Sequence, residues 1–148
     1  HLSSDRPWAI DRLGQLRIKQ GAYLWRDLLD EGVVVTSGTD APVEPVNPIA
    51  NFYAAVTRKT LKGVPEAGFE PAQKLTRMEA LRAMTIAAAY AAFEECDKGS
   101  IEVGKLADLT VLNQDLITAP EAEILNTRVL MTMVGGEVVY ERDEAVLP

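Results

Sequence analysis

Four β-branched residues in a row, Val33-Val34-Val35-Thr36, run directly into Ser37-Gly38-Thr39-Asp40-Ala41-Pro42-Val43-Glu44-Pro45-Val46-Asn47-Pro48. β-Branched side chains favour strands, and an apolar run that does not alternate is the pattern of a parallel strand covered on both faces. The twelve residues that follow are rich in turn formers and in prolines that cannot continue a sheet. A buried parallel strand ending in a loop at its carboxyl end is therefore predicted, and parallel strands call for helical crossovers. The expected fold class is α/β.

The flanking segments read accordingly. Residues 1–12 hold Ser3-Ser4-Asp5 and Arg6-Pro7-Trp8 without a sustained period and are expected to be irregular. From about Gly14 to Asp30, Leu16, Tyr23, Leu24, Leu28 and Leu29 suit a helical period, with Gly32 as its stop. Asn47 and Pro48 suit an N-cap and first position of a short helix reaching about Arg58. A polar loop then runs to Leu75. Thr76-Arg77-Met78-Glu79 is a capping box. The helix it opens carries a stripe of Met78, Leu81, Thr85, Ile86 and Ala89, read as core packing, with alanines that permit close approach of a neighbour. Beyond Lys98-Gly99 the pattern changes to period two, which places a boundary near residue 97. Residues 107–112, 128–134 and 137–142 read as strands, the last two a hairpin around Gly135-Gly136. Three short strands rarely stand alone.

Composition excludes some partners. A net charge of −7 and a pI near 4.7, without a basic stripe, argue against nucleic acid. No apolar run is long enough to span a bilayer, so no membrane partner is expected. The single Cys96 cannot form an intrachain disulfide, which fits a reducing, cytoplasmic location. The chain opens on His1 rather than Met, which reads as a truncated or processed start.

Asp40 is the candidate for chemistry, because an acidic group just past the carboxyl end of a barrel strand stands where barrel enzymes keep their active sites. Taken by itself, an Asp between Thr39 and Ala41-Pro42 is a turn or cap residue. Resemblance shifts that weighting. Ser37-Gly38-Thr39-Asp40-Ala41-Pro42 is similar to the stretch that ends the eighth barrel strand in the amidohydrolase superfamily, specifically the amidohydrolase-3 type of TIM-barrel metal-dependent hydrolases. His1, Ser4, Asp5, Trp8, Ala9, Arg12, Leu13 and Gly14 stand at the spacings of that branch's preceding segment. Gly99-Ser100-Ile101-Glu102-Val103-Gly104-Lys105-Leu106-Ala107-Asp108-Leu109 resembles the signature where the chain leaves the barrel. The similarity is colinear over nearly the whole chain.

The resemblance implies the carboxy-terminal part of a (β/α)8 TIM barrel followed by part of a small β-sandwich. Residues 1–97 would supply the last strand and helices of the barrel, and residues 98–148 the terminal strands of the sandwich. It implies hydrolysis of an amide or cyclic amide C–N bond of a small-molecule substrate by water activated on a divalent metal, zinc being the expected ion. Asp40 would serve as metal ligand and as general base, then general acid, and His1 would contact substrate. The family's other ligands, two His on the first strand, a carboxylated Lys or Glu, and further His, have no counterpart in a chain with one histidine. The chain alone is thus expected to hold no ion tightly and to be inactive. Trp8 and Arg12 are candidates for the substrate mouth, with packing and a surface ion pair as their ordinary roles, and Asp108 is expected to bond backbone beside its strand. The competing reading is a non-catalytic α/β assembly or binding module. Unpaired strand edges predict a homo-oligomer, a dimer first of all.

Overall fold

The computed structural model describes residues 1–143; residues 144–148, the end of the region expected to join the sandwich, lie outside the described residues. Two compact units divide between Met84 and Thr85. Together they hold helices and one small antiparallel sheet, an α/β fold. Among the described residues no helix is long and apolar enough to cross a membrane.

The first unit opens on α1 (Leu2–Gly21), where residues 1–12 had been expected to be irregular. Tertiary anchors hold this helix where periodicity is weak. Leu2 and Ile18 are fully buried, Arg6 is nearly so, and the Ser3 hydroxyl donates to the Lys59 carbonyl at 2.7 Å. Gly14 kinks α1 with φ 76° and ψ 160°, a conformation open to glycine at little cost. The single helix expected over residues 14–30 is likewise two. The chain leaves α1 at Gly21, turns through Tyr23 at φ 59°, and begins α2 (Trp25–Asp30). Leu24 cannot cap α2 with its side chain, and the buried Gln73 does so from a distance. Its carbonyl accepts from the N–H groups of Arg26 (3.0 Å) and Asp27 (3.2 Å), and its amide donates to Asp27 Oδ1 (2.6 Å). This is a long-range solution to the unsatisfied donors at a helix start.

Residues 33–36 form no strand, contrary to expectation, and Val33 and Val34 are 47% and 50% exposed. A strand exists only beside another that takes its N–H and C=O groups, and no described residue pairs with this run. The loop after it is present as expected. So is α3 (Pro48–Thr57), with the Asn47 side chain accepting from the Ile49 N–H at 3.0 Å and Pro48 in the first turn.

The capping box forms at the start of α4 (Arg77–Met84): the Thr76 N–H donates to Glu79 Oε2 at 2.7 Å, and the Glu79 N–H to Thr76 Oγ1 at 3.3 Å. The helix stops short of the expected stripe, because Thr85 adopts φ −123° and ψ −96° and a separate helix, α5 (Ile86–Ala91), begins after it. Met78 is 48% exposed, and the buried residues of α4 are Ala80 and Ala83. α3 packs against α4. Small side chains, including the buried Ala54 and Ala55 of α3, let the two backbones approach, so in α4 the alanine face becomes core, and of the expected stripe Ala89 on α5 is buried.

Arg26 also grips the capping carboxylate, with Nη1 2.9 Å from Glu79 Oε1 and Nη2 on Oε2. Hydrogen bonding to Arg26, the leading cause, together with Thr76 holds Glu79 down at about 2. That value lies below the unfolded carboxylate range near about 4.3. The stabilisation is therefore complete above the unfolded value and is lost as pH falls through about 2. With the side chain 31% exposed, solvent limits the effect to about 1 kcal/mol. Urea midpoints measured from about pH 5 down to about pH 2 should fall less steeply for Glu79→Gln than for the parent; equal slopes would show that the pair contributes nothing.

In the second unit, β1 (Leu109–Leu112), β2 (Val129–Val134) and β3 (Glu137–Glu141) make an antiparallel sheet in the order β1-β2-β3. Thr110 pairs with Thr132 and Val134 with Glu137, and the expected Gly135-Gly136 turn takes positive φ at both residues. The Gly99-to-Leu109 motif acts as a clasp. A Cβ on Gly99 would stand 2.7 Å from that of Ala89 on α5, so only glycine permits this approach. The Lys105 ammonium donates to Ser100 Oγ at 2.5 Å, and Ser100 donates to Glu102 at 2.6 Å. Asp108 Oδ1 accepts from the Gly135 N–H at 2.7 Å, so the backbone it bonds belongs to the hairpin turn and not to its own strand.

Candidate active site

Asp40 lies in the loop after residues 33–36, at φ 51°, a left-handed conformation that Asp tolerates better than most residues. Its carbonyl accepts from the Val43 N–H at 2.8 Å, and the Glu44 N–H donates to the Thr39 carbonyl at 3.2 Å, closing a tight turn. Residue 40 is exposed. Among the described residues its carboxylate has no hydrogen-bond or ion-pair partner.

His1 lines a cavity of about 230 Å³ whose walls include Tyr23, Trp25, Val35, Ser37 and Asn51. Asp40 is not among the lining residues. The loop joins the two regions through Glu44: His1 Nδ1 stands 3.8 Å from Glu44 Oε1, and the Ser4 hydroxyl donates to the same oxygen. Trp8 and Arg12 line a separate shallow depression with Asp5, Leu13 and Tyr23. Trp8 is 67% exposed, so its ordinary role as a packing residue does not hold, and among the described residues Arg12 has no ion-pair partner.

A charged knot touches Tyr23 and Trp25 of the cavity wall. Arg58 follows α3 at φ 56° with a fully buried side chain. Its Nε donates to the Phe69 carbonyl (2.5 Å) and Nη1 to the Tyr23 carbonyl (3.0 Å), and its guanidinium lies 4.8 Å from the centre of the Trp25 ring. Nη2 reaches only to 3.9 Å from Glu70 and makes no hydrogen bond. Arg6 holds Glu70 through Nε at 3.0 Å and through Nη2, and stacks 4.2 Å from the centre of Phe69. Burial pushes the Arg58 guanidinium down to about 10, while bonding from Arg6 lowers Glu70. Burial raises the Tyr23 phenol.

Sequence reading did not single out Glu44, Arg58 or Glu70. Glu44 and Glu70 are charges beside proline in segments without periodicity and Arg58 ends a short helix, positions where nothing local separates a buried partner from a solvated one. Phe69-Glu70-Pro71 and Thr57-Arg58 come together only in the fold, with Gly68 so close that a Cβ there would meet the Thr57 carbonyl at 2.2 Å.

A catalytic zinc takes three protein ligands and an open position. Among the described residues no three His, Cys, Asp or Glu side chains converge, and Asp40 brings one carboxylate. The described residues do not by themselves fit a metal centre.

The fold resembles the crystal structure of an amidohydrolase from Thermotoga maritima MSB8, with a TM-score of 0.59 over 81% of this chain and 26% of that one, at 23% identity. In sequence, the model of the Amidohydrolase family matches residues 1–140, and the chain belongs to that family. It is 34% identical to the protein YtcJ of Bacillus subtilis (strain 168) over 95% of its own length and 26% of the relative's. It is 39% identical to N-substituted formamide deformylase of Arthrobacter pascens over 79% of its length and 21% of that enzyme's. The chain thus spans about a quarter of the length of the relatives it matches.

Proposed function

We propose that this chain contributes Asp40 and its loop to the active centre of a metal-dependent hydrolase that cleaves amide or cyclic amide C–N bonds of small molecules. The observation that carries the reading is an exposed carboxylate, free of partners among the described residues, held at a left-handed turn within the family match. A relative named for deformylation of N-substituted formamides supports the bond type. A divalent ion, zinc first of all, would supply Lewis acidity in the whole protein and lower the pKa of water from about 16 to about 7. Asp40 would be one ligand, and would take the proton of the attacking water and return it to the leaving nitrogen. His1 would contact substrate. The test is activity of the full-length protein carrying Asp40→Asn.

The same reading assigns residues 1–97 to the end of a (β/α)8 barrel and residues 98–148 to strands of a β-sandwich, in a cytoplasmic enzyme. Unpaired surfaces support it. Among the described residues Val33 and Val34 lack strand neighbours, and all five residues of β3 are exposed, Val138, Val139 and Tyr140 among them. Such edges also favour the assembly reading, since a β3 edge unpaired among the described residues and an apolar sheet face can be covered by a second copy. Light scattering of the 148-residue chain at tens of micromolar should report a dimer. A monodisperse monomer with a cooperative melt would remove that reading.

A further inference from the structure

We infer that Glu44 and Ser4 position the His1 imidazole, turning Nδ1 toward the carboxylate and leaving Nε2 to the cavity as an acceptor for a substrate N–H, such as that of an amide. This rests on the proposed role of His1 in contacting substrate. Three groups carry it. His1 and Ser4 stand three residues apart at the start of α1, a spacing that puts both on one face of the helix. Glu44 is delivered by the turn that also holds Asp40. The Ser4 hydroxyl donates a hydrogen bond to Glu44 Oε1, anchoring the oxygen that lies 3.8 Å from His1 Nδ1.

That distance exceeds a hydrogen bond but lies within ion-pair range. The side chains are 34% and 22% exposed, so water screens the contact only in part. An ionised carboxylate is an acceptor only. A bare Nδ1 facing it would set two lone pairs against each other, so the nitrogen on that side carries the proton. In the neutral ring the opposite nitrogen is then the acceptor, because a neutral imidazole carries one N–H and one bare nitrogen. The cavity that His1 lines is walled by apolar side chains such as Val35 and Leu75, with Ser37 and Asn51 as its neutral polar groups.

The chain has one histidine, so nitrogen-15 NMR of the imidazole, recorded on the 148-residue chain above the ring's titration, reads this residue alone. The expected result is a ring protonated at Nδ1 and bare at Nε2. Glu44→Gln, which keeps a carbonyl acceptor, should retain that tautomer, while Glu44→Ala should lower its population at least twofold. Ser4→Ala, which leaves Glu44 in place but unanchored, should lower it by a smaller factor, and it carries the test if Glu44→Ala fails to fold. A parent ring protonated mainly at Nε2 overturns the inference, as does a tautomer ratio unchanged in the alanine variants. The spectra need no turnover, so their outcome is independent of whether the full-length protein hydrolyses C–N bonds.

Discussion

Asp40→Asn in the full-length protein is expected to lower kcat by about 10²–10⁴-fold, the range for loss of a positioned general acid–base group. It should leave the melting temperature of the 148-residue chain unchanged. The two expectations separate chemistry from folding because the hydrogen bond that residue 40 makes in its turn runs through its carbonyl, which accepts from the Val43 N–H and is untouched by the substitution. Asn tolerates the φ of 51° as Asp does, and the exposed carboxylate has no protein partner to lose among the described residues. Asn preserves size but cannot serve as a carboxylate base or as an anionic ligand. A variant that folds and keeps parental kcat would remove Asp40 from the chemistry.

Glu70→Ala is expected to destabilise the 148-residue chain by about 3–5 kcal/mol, the cost of removing one partner from a buried ion pair. Arg58 is fully buried and Arg6 nearly so, and Glu70 is the carboxylate that faces both. Without it two guanidinium groups stand close together in a low-dielectric setting, where burial already pushes Arg58 down to about 10. The retained bonds from Arg58 to the Phe69 and Tyr23 carbonyls place the cation but do not neutralise it. Urea denaturation compares parent and variant directly, and a loss below about 1 kcal/mol would mean that solvent reaches the knot. Since Tyr23 and Trp25 are both held by Arg58 and both line the His1 cavity, the variant should also loosen that wall.

Local chemistry was legible in the chain before any fold was known. The Thr76–Glu79 capping box, the Asn47-Pro48 helix start and the Gly135-Gly136 hairpin turn each depend on atoms within a few residues, so residue types and spacing suffice to specify them. The family likewise follows from motifs in order along the chain, and with it the case for Asp40. Tertiary structure decided the rest, for one physical reason: the deciding partner is distant in sequence. Residues 1–12 are helical because Leu2, Ser3 and Arg6 find partners as far away as Lys59 and Glu70. Gln73 caps α2 from across the unit. Glu44 reaches His1 over forty-three positions of chain, and Arg58 is buried because Phe69 and Glu70 fold back onto it. Residues 33–36 show the division most clearly. Their β-branched side chains state a preference for a strand, but a strand is a pairing, and only another segment alongside can make it one.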